Sequence, residues 1–261
     1  MKNLYLIPDG KKLTESLALI KKYDGAYEYN DFFSADILDD KKRQMEIIAD
    51  YAKVRSDFSE DTMHGAFLDV TVHSSDKKIC EVSELRIRQS MDIAKEMGLR
   101  GVVFHTNRLY GFHDTAYLKN WLESNKRFFG TVCEAYPNQF VFMENMFDDD
   151  PDALCDLAEQ MKSYGNFGVC LDYAHGIVSG TSIEKWVKML APYVSHMHIN
   201  DNDGKNDLHL ALGTGQIDWR KFSKEMVEYK INAPVLIEVS GVEKQRASLE
   251  FMVKEHIFPI Y

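Results

Sequence analysis

Phe167-Gly168-Val169-Cys170-Leu171-Asp172 is a short apolar run that closes on a carboxylate, and Tyr173-Ala174-His175 follows it directly. On a strand, alternate side chains take opposite faces. Asp172 therefore shares a face with Cys170 and Gly168, while Val169 and Leu171 take the other. The same unit, a short apolar run followed by a longer amphipathic stretch, recurs to either side. The runs are Leu4–Ile7, Gly25–Tyr29, Thr62–Leu68, Gly101–Thr106, Phe140–Glu144, Phe167–Asp172, Val194–Ile199 and Pro234–Val239. The intervals are long enough for helices. Asp150-Pro151-Asp152 reads as a helix start with Asp150 as N-cap and Pro151 at the first helical position, and Gly165 as the C-cap. Thr181-Ser182-Ile183-Glu184 reads as a capping box ahead of Trp186-Val187-Lys188-Met189-Leu190.

Eight strands alternating with helices predict a closed (β/α)8 barrel, and 261 residues match the roughly 250 such a barrel needs. No Pro/Gly-rich linker or charge block divides the chain, so one domain over residues 1–261 is expected. A doubly wound open sheet is the alternative, but Ile7-Pro8-Asp9-Gly10-Lys11 is not the Gly-rich first turn of that fold.

Composition narrows the functions. Apolar residues make up 45% of the chain, enough for a sizeable core. No stretch reaches the roughly 20 apolar residues of a membrane span, and the N-terminus lacks a secretory pattern. Cys80, Cys133, Cys155 and Cys170 show no C-x-x-C spacing, so disulfides are not expected and a reducing cytoplasm fits. With 41 acidic against 31 basic residues the net charge is −10, which disfavours a phosphate-backbone partner. Lys11-Lys12, Lys21-Lys22 and Lys41-Lys42-Arg43 read as solvated helix faces.

A barrel carries its chemistry at the C-terminal ends of its strands. There the runs place His64, His105, Glu144, Asp172, His198 and Glu238. Glu144 shares a face with Phe142, and Glu238 with Leu236. Three carboxylates in one mouth, with no strand-end Arg or Lys, need a compensating charge. A divalent cation supplies it, and oxygen donors with imidazoles suit Mn, Zn, Co or Mg. In the segment after the seventh run, Asp207 and His209 take the same direction if the chain is extended. Asn200–Lys205 alone reads as a surface turn. Gly213 and Gly215 fit a tight turn as well as a phosphate loop. His196 has the parity of His198 and belongs one layer deeper, hydrogen-bonded. Trp121, Phe128 and Phe129 read as core, and Tyr110, Phe112 and His113 as either a lid or a cover over the barrel top.

Leu171-Asp172-Tyr173-Ala174-His175, the His-x-His-x-Asn-Asp run from His196, and Asp207-Leu208-His209-Leu210-Ala211-Leu212-Gly213-Thr214-Gly215-Gln216-Ile217-Asp218-Trp219 resemble the sugar phosphate isomerase/epimerase superfamily. That superfamily shares its barrel with xylose isomerase and with endonuclease IV-type AP endonucleases. The resemblance runs from His64 through Glu238, with Glu144-Asn145 and Ile237-Glu238 filling the remaining positions. It implies Glu144, Asp172, His198 and Glu238 as metal ligands, with Glu144 and Glu238 also the acid/base pair. It implies His64, His105, His175 and His209 as contacts to substrate oxygens. The implied reaction is isomerisation or epimerisation of a small sugar, sugar phosphate or cyclitol through a metal-stabilised enediolate.

The AP endonuclease branch binds three zinc ions, and its ligand types all have counterparts here once His64, His105, His175, Asp207 and His209 are added. One ion is expected and up to three are possible. Leu208 stands where the nuclease pattern carries Arg, and the segment between His198 and Asp207 is acidic; both weaken a nuclease reading. A dehydratase or lyase of the same fold and a non-catalytic sugar-binding protein are further alternatives. Oligomeric state is not read from the sequence.

Overall fold

The computed structural model describes residues 2–260. Eight parallel strands close into a barrel in chain order: β1 (Leu4–Leu6), β2 (Ala26–Tyr29), β3 (Thr62–His64), β4 (Gly101–His105), β5 (Phe140–Glu144), β6 (Phe167–Asp172), β7 (Val194–Ile199) and β8 (Val235–Ile237). Each expected run contains one strand. The third is the most shortened: Gly65 N still donates to Val103 O at 2.9 Å, close against the Phe104 ring, and the pairing stops there.

The first helices are α1 (Leu13–Lys22), α2 (Ala35–Asp39), α3 (Lys41–Ala52), α4 (Lys77–Met97) and α5 (Thr115–Ala135). The rest are α6 (Asp152–Met161), α7 (Tyr173–Val178), α8 (Ile183–Leu190), α9 (Trp219–Glu228) and α10 (Val242–Glu255). Aspartates cap several of them: Asp40, Asp76, Asp114 and Asp218 each accept a backbone N–H from the first turn. Each such cap contributes about 1 kcal/mol. Two expected starts move by one residue. Helix α6 begins at Asp152 with Pro151 as N-cap, while Asp150 Oδ1 accepts the Asp152 N–H at 3.0 Å. Lys162, not Gly165, ends it. Ser182, not Thr181, caps α8 through the Lys185 N–H, which breaks the capping-box register.

The large core lies between the barrel and its helices, where Trp121, Phe128, Phe129, Trp186 and Phe222 are buried. The barrel interior is separate and smaller: Tyr5, Ala26 and Leu236 pack together, as do Val103, Phe142 and Cys170. Two residues beyond Ala26, Val103, Phe142, Cys170 and Leu236, on the same inward face, stand Glu28, His105, Glu144, Asp172 and Glu238. Apolar packing thus forms the lower barrel and polar groups the upper.

Below β2 and β3, the buried Asp61 pairs with Arg55 and accepts the Tyr27 N–H and the Tyr29 hydroxyl, both at 2.9 Å. The basic clusters are exposed. Lys11-Lys12 precede α1 instead of lying within it, and Lys12, Lys41 and Arg43 pair with Glu243, Glu96 and Glu46. Among the described residues no helix is long and apolar enough to cross a membrane.

Candidate metal centre and active site

Glu144 and Asp172 end their strands, His198 stands one residue before the end of β7, and Glu238 follows β8 immediately. Ladder pairing sets Glu144 beside His105, and His198 beside Asp172. His198 Nδ1 lies 3.3 Å from Glu144 Oε2 and 3.4 Å from Glu238 Oε2. One donor atom from each of Glu144, Asp172, His198 and Glu238 falls within 4.8 Å of all the others. Glu144 Oε2, Asp172 Oδ2, His198 Nδ1 and Glu238 Oε2 are buried without a hydrogen-bond partner. Buried polar atoms are ordinarily paired. Four orphans converging on one point, three of them carboxylate oxygens, fit a divalent cation.

Two further groups flank the first. His64 and His105 face each other with their Nε2 atoms 3.0 Å apart, and those atoms lie 3.7 and 3.5 Å from Glu144 Oε2. On the other side, Asp207 Oδ2 stands 3.3 Å from His175 Nε2 and 3.1 Å from His209 Nε2. The remaining nitrogens of this pair are fixed by carbonyls: His175 Nδ1 donates to Asn145 O and His209 Nδ1 to Glu238 O, both at 2.9 Å. That leaves Nε2 of each directed at Asp207. All nine sequence-predicted residues meet in three adjoining groups, with Glu144 common to two.

The charges explain how the fold tolerates this density. Burial raises the Glu144 carboxyl, but His198 and His105 outweigh it and hold it well below the ordinary carboxylate range. Burial opposes charge on His175 too, yet Asp172, Asp207 and Glu144 lift it well above the usual histidine value. His198 rises for the same kind of reason, with Cys170, Glu144, Glu28 and Glu238 overcoming burial. Asp172 goes the other way: burial pushes it up to about 7, with His175 pulling against. Without a metal, protons on His175, His198 and Asp172 relieve the repulsion, so a cation entering the site displaces protons.

The groups line a cavity of about 390 Å³ whose wall includes Phe33, Phe67, Leu68 and Phe147 and no Arg or Lys. Phe33, Leu68, Tyr110, Phe147 and Leu208 are exposed around the mouth. Arg108 is taken up by Asp148, Asp149 and Asp150. Tyr110 belongs to the rim and not to a cover over the barrel, and His113 pairs with Asp149 at 2.8 Å.

The segment after β7 corrects one expectation. Asn200, Asp201 and Asn202 are fully buried, not a surface turn, while Gly204 and Lys205 are exposed and turn about Asp203, as expected. Asp201 accepts N–H groups from Gly213, Ile217 and the Trp219 indole at 2.8, 3.2 and 3.0 Å. Gly215 is required by close approach: a Cβ there would meet Asn202 O and Asp201 Oδ1 at 2.3 Å. That accounts for the glycine without a phosphate.

Glu28 is the residue that the strand-end pattern missed. It is wholly buried one position before the end of β2. Its Oε2 accepts His196 Nε2–H at 2.9 Å and the Thr62 hydroxyl at 2.8 Å, and its Oε1 lies 3.0 Å from His198 Nε2. His196 is the deeper, hydrogen-bonded histidine that its parity predicted. A buried histidine without an acid in its own neighbourhood was the available signal.

A family model described as xylose isomerase-like TIM barrel matches residues 27–255. The uncharacterized protein MJ1614 of Methanocaldococcus jannaschii is 27% identical over 186 residues, covering 69% of this chain and 70% of its own. The probable endonuclease 4 of Halorhodospira halophila is 21% identical over 189 residues, 63% of this chain and 62% of that one. A solved D-tagatose 3-epimerase-like protein superposes with a TM-score of 0.75 at 20% identity, covering 97% of this chain and 96% of that one. With the closed barrel and a match across most of its length in agreement, the chain belongs to the xylose isomerase-like TIM barrel family.

Proposed function

We propose that this protein is a metal-dependent isomerase or epimerase of a small polyhydroxy carbonyl compound, an unphosphorylated sugar or the keto form of a cyclitol. The observation that carries the reading is the placement of Glu144 and Glu238 within reach of His198 Nδ1, at 3.3 and 3.4 Å, in a cavity whose wall holds no Arg or Lys. A divalent cation held by Glu144, Asp172, His198 and Glu238 supplies Lewis acidity toward a carbonyl and its neighbouring hydroxyl. Two carboxylates flanking the reacting carbons meet the needs of proton transfer: one removes the α-proton and the other delivers a proton to the adjacent carbon or the opposite face. His64, His105, His175 and His209 line the same cavity and offer nitrogens to substrate hydroxyls. A phosphate would find no Arg or Lys on this wall, which favours an unphosphorylated substrate. The four unpaired cysteines support a reducing compartment such as the cytoplasm.

The test is deuterium uptake from D₂O at the carbon next to the carbonyl, across a panel of ketoses, aldoses and inososes, with Mn, Co, Zn or Mg added in turn. Uptake that needs the metal supports the reading. A metal-loaded protein that exchanges no member of the panel overturns it.

A second reading, phosphodiester hydrolysis at abasic DNA sites, is favoured by one observation: the donor sets at His64–His105–Glu144 and His175–Asp207–His209 beside the central group could hold three zinc ions. The similarity to a probable endonuclease 4 points the same way. The apolar rim and net charge of −10 oppose a duplex partner. Zinc-loaded protein that leaves an abasic duplex uncut removes this reading.

A further inference from the structure

We infer that Glu28 is a positioning residue for the candidate metal group: it holds the His198 imidazole with its proton on Nε2, so that Nδ1 presents a lone pair to the cation. The inference rests on His198 being a metal ligand, as proposed above.

The His198 ring spans two layers of the barrel. Its Nδ1 faces Glu144 and Glu238, while its Nε2 faces down to Glu28 Oε1 at 3.0 Å. The pair is not aligned as a hydrogen bond, and neither atom has another hydrogen-bond partner. Glu28 Oε1, at 3.0 Å, is therefore the carboxylate oxygen within reach of that nitrogen. The carboxylate is itself held from its other oxygen by His196 Nε2 at 2.9 Å and Thr62 Oγ1 at 2.8 Å. Glu28, Thr62, His196 and His198 all have zero exposure, so water cannot take the place of any of them. An imidazole that donates one N–H to a carboxylate has its tautomer and orientation fixed, and its other nitrogen becomes a better donor to a metal. Glu28 adds a negative charge one layer beneath the cation and remains outside the group of donors around it. A structural role alone, filling the barrel and satisfying His196, requires neither the direction of His198 nor the approach of its two nitrogens to two different carboxylate layers.

The experiment is a Co²⁺ titration of the full chain, read by d–d absorption and calorimetry, that separates the central group from the outer one of His175, Asp207 and His209. Glu28→Gln keeps shape and an acceptor but loses the charge; Glu28→Leu loses both. Partners of this kind change metal affinity by about 10–100-fold, so Glu28→Gln is expected near the lower figure and Glu28→Leu near the upper, at the central group alone. The zinc-loaded wild type should show a downfield His198 Nε2–H resonance that Glu28→Leu lacks. Should Glu28→Leu fail to fold, Thr62→Val, which removes one bond to Glu28, is expected to weaken the central group by about fivefold. Folded Glu28→Gln and Thr62→Val proteins with central affinity within about twofold of wild type, or equal losses at both groups, overturn the inference. His198→Ala is the control for the reading beneath: unchanged central affinity there means that His198 is no ligand, and both fall together.

Discussion

Asn145 and Asp172 hold each other across the ends of β5 and β6: Asn145 Nδ2 donates to Asp172 O, and Asp172 N donates to Asn145 Oδ1, both at 2.9 Å. Asn145 O also accepts His175 Nδ1–H, and the His175 backbone N–H donates to Asp172 Oδ1 at 2.7 Å. One amide residue thus fixes two members of the candidate site. Asn145→Ala strands a buried N–H and a buried carbonyl, and the expected loss of stability is on the order of 2–4 kcal/mol. Urea denaturation of the metal-free protein measures it, and an unchanged midpoint would show that the clamp is dispensable.

Glu144→Gln and Glu238→Gln separate chemistry from binding. Each keeps the size of the side chain and removes a base. Loss of a positioned acid or base costs roughly 100- to 10,000-fold in turnover. The predicted outcome is a fall of that size in deuterium exchange for both variants, measured at saturating metal. Retention of exchange in either variant would assign the proton transfer elsewhere.

Metal affinity should rise with pH. Burial pushes the Asp172 carboxyl up to about 7, against the pull of His175, and His198 is raised well above the ordinary histidine range by the surrounding acids despite its burial. Below these values protons occupy atoms that a cation needs. A carboxyl with a raised pKa in the folded state favours the fold while protonated and loses that contribution as pH climbs through about 7. The metal-free protein should therefore weaken over that window relative to the loaded one. Zinc affinity is expected to grow between about pH 6 and about pH 8 by roughly tenfold per unit for each proton displaced. Calorimetry in buffers of different ionisation enthalpy counts those protons; a pH-independent affinity would contradict the assignment.

Asp201 organises the return from β7 to α9. Replacing it with Ala leaves the Gly213 and Ile217 amides and the Trp219 indole without their common acceptor. Several charge-assisted bonds disappear together, and the expected cost is on the order of 3–5 kcal/mol. Chemical denaturation gives the number, and limited proteolysis near residues 203–216 shows whether that segment loosens first.

The barrel was legible because six of its eight strands are written twice, once as an apolar run and once as a polar residue at or beside its end. Parity then placed Glu144 with Phe142, Asp172 with Cys170 and Glu238 with Leu236, and the fold agrees. Glu28 escaped because β2 ends in Tyr29, whose hydroxyl goes outward to Asp61. The informative residue stands one step earlier, where Ala26 and Glu28 share the inner face between two tyrosines. Asp201 escaped for a different reason. An Asn-Asp-Asn-Asp-Gly run has the composition of a solvated turn, and the tertiary approach of Gly215 and Trp219 buries its first three residues. Helix boundaries at Asp152 and Ser182 shifted by one residue because neighbouring residues compete as caps.

The exposed rim of Phe33, Leu68, Tyr110, Phe147 and Leu208 is carried by loops, whereas Glu144, Asp172 and His198 ride on strands bound into a closed ring of hydrogen bonds. Substitutions in the loops can recarve the entrance while the hydrogen-bonded floor keeps its spacing. On the proposed function, selectivity among substrates is thereby inherited separately from reactivity. Laboratory evolution of this chain toward a new substrate should accumulate its changes in the rim, leaving the acids and imidazoles below untouched.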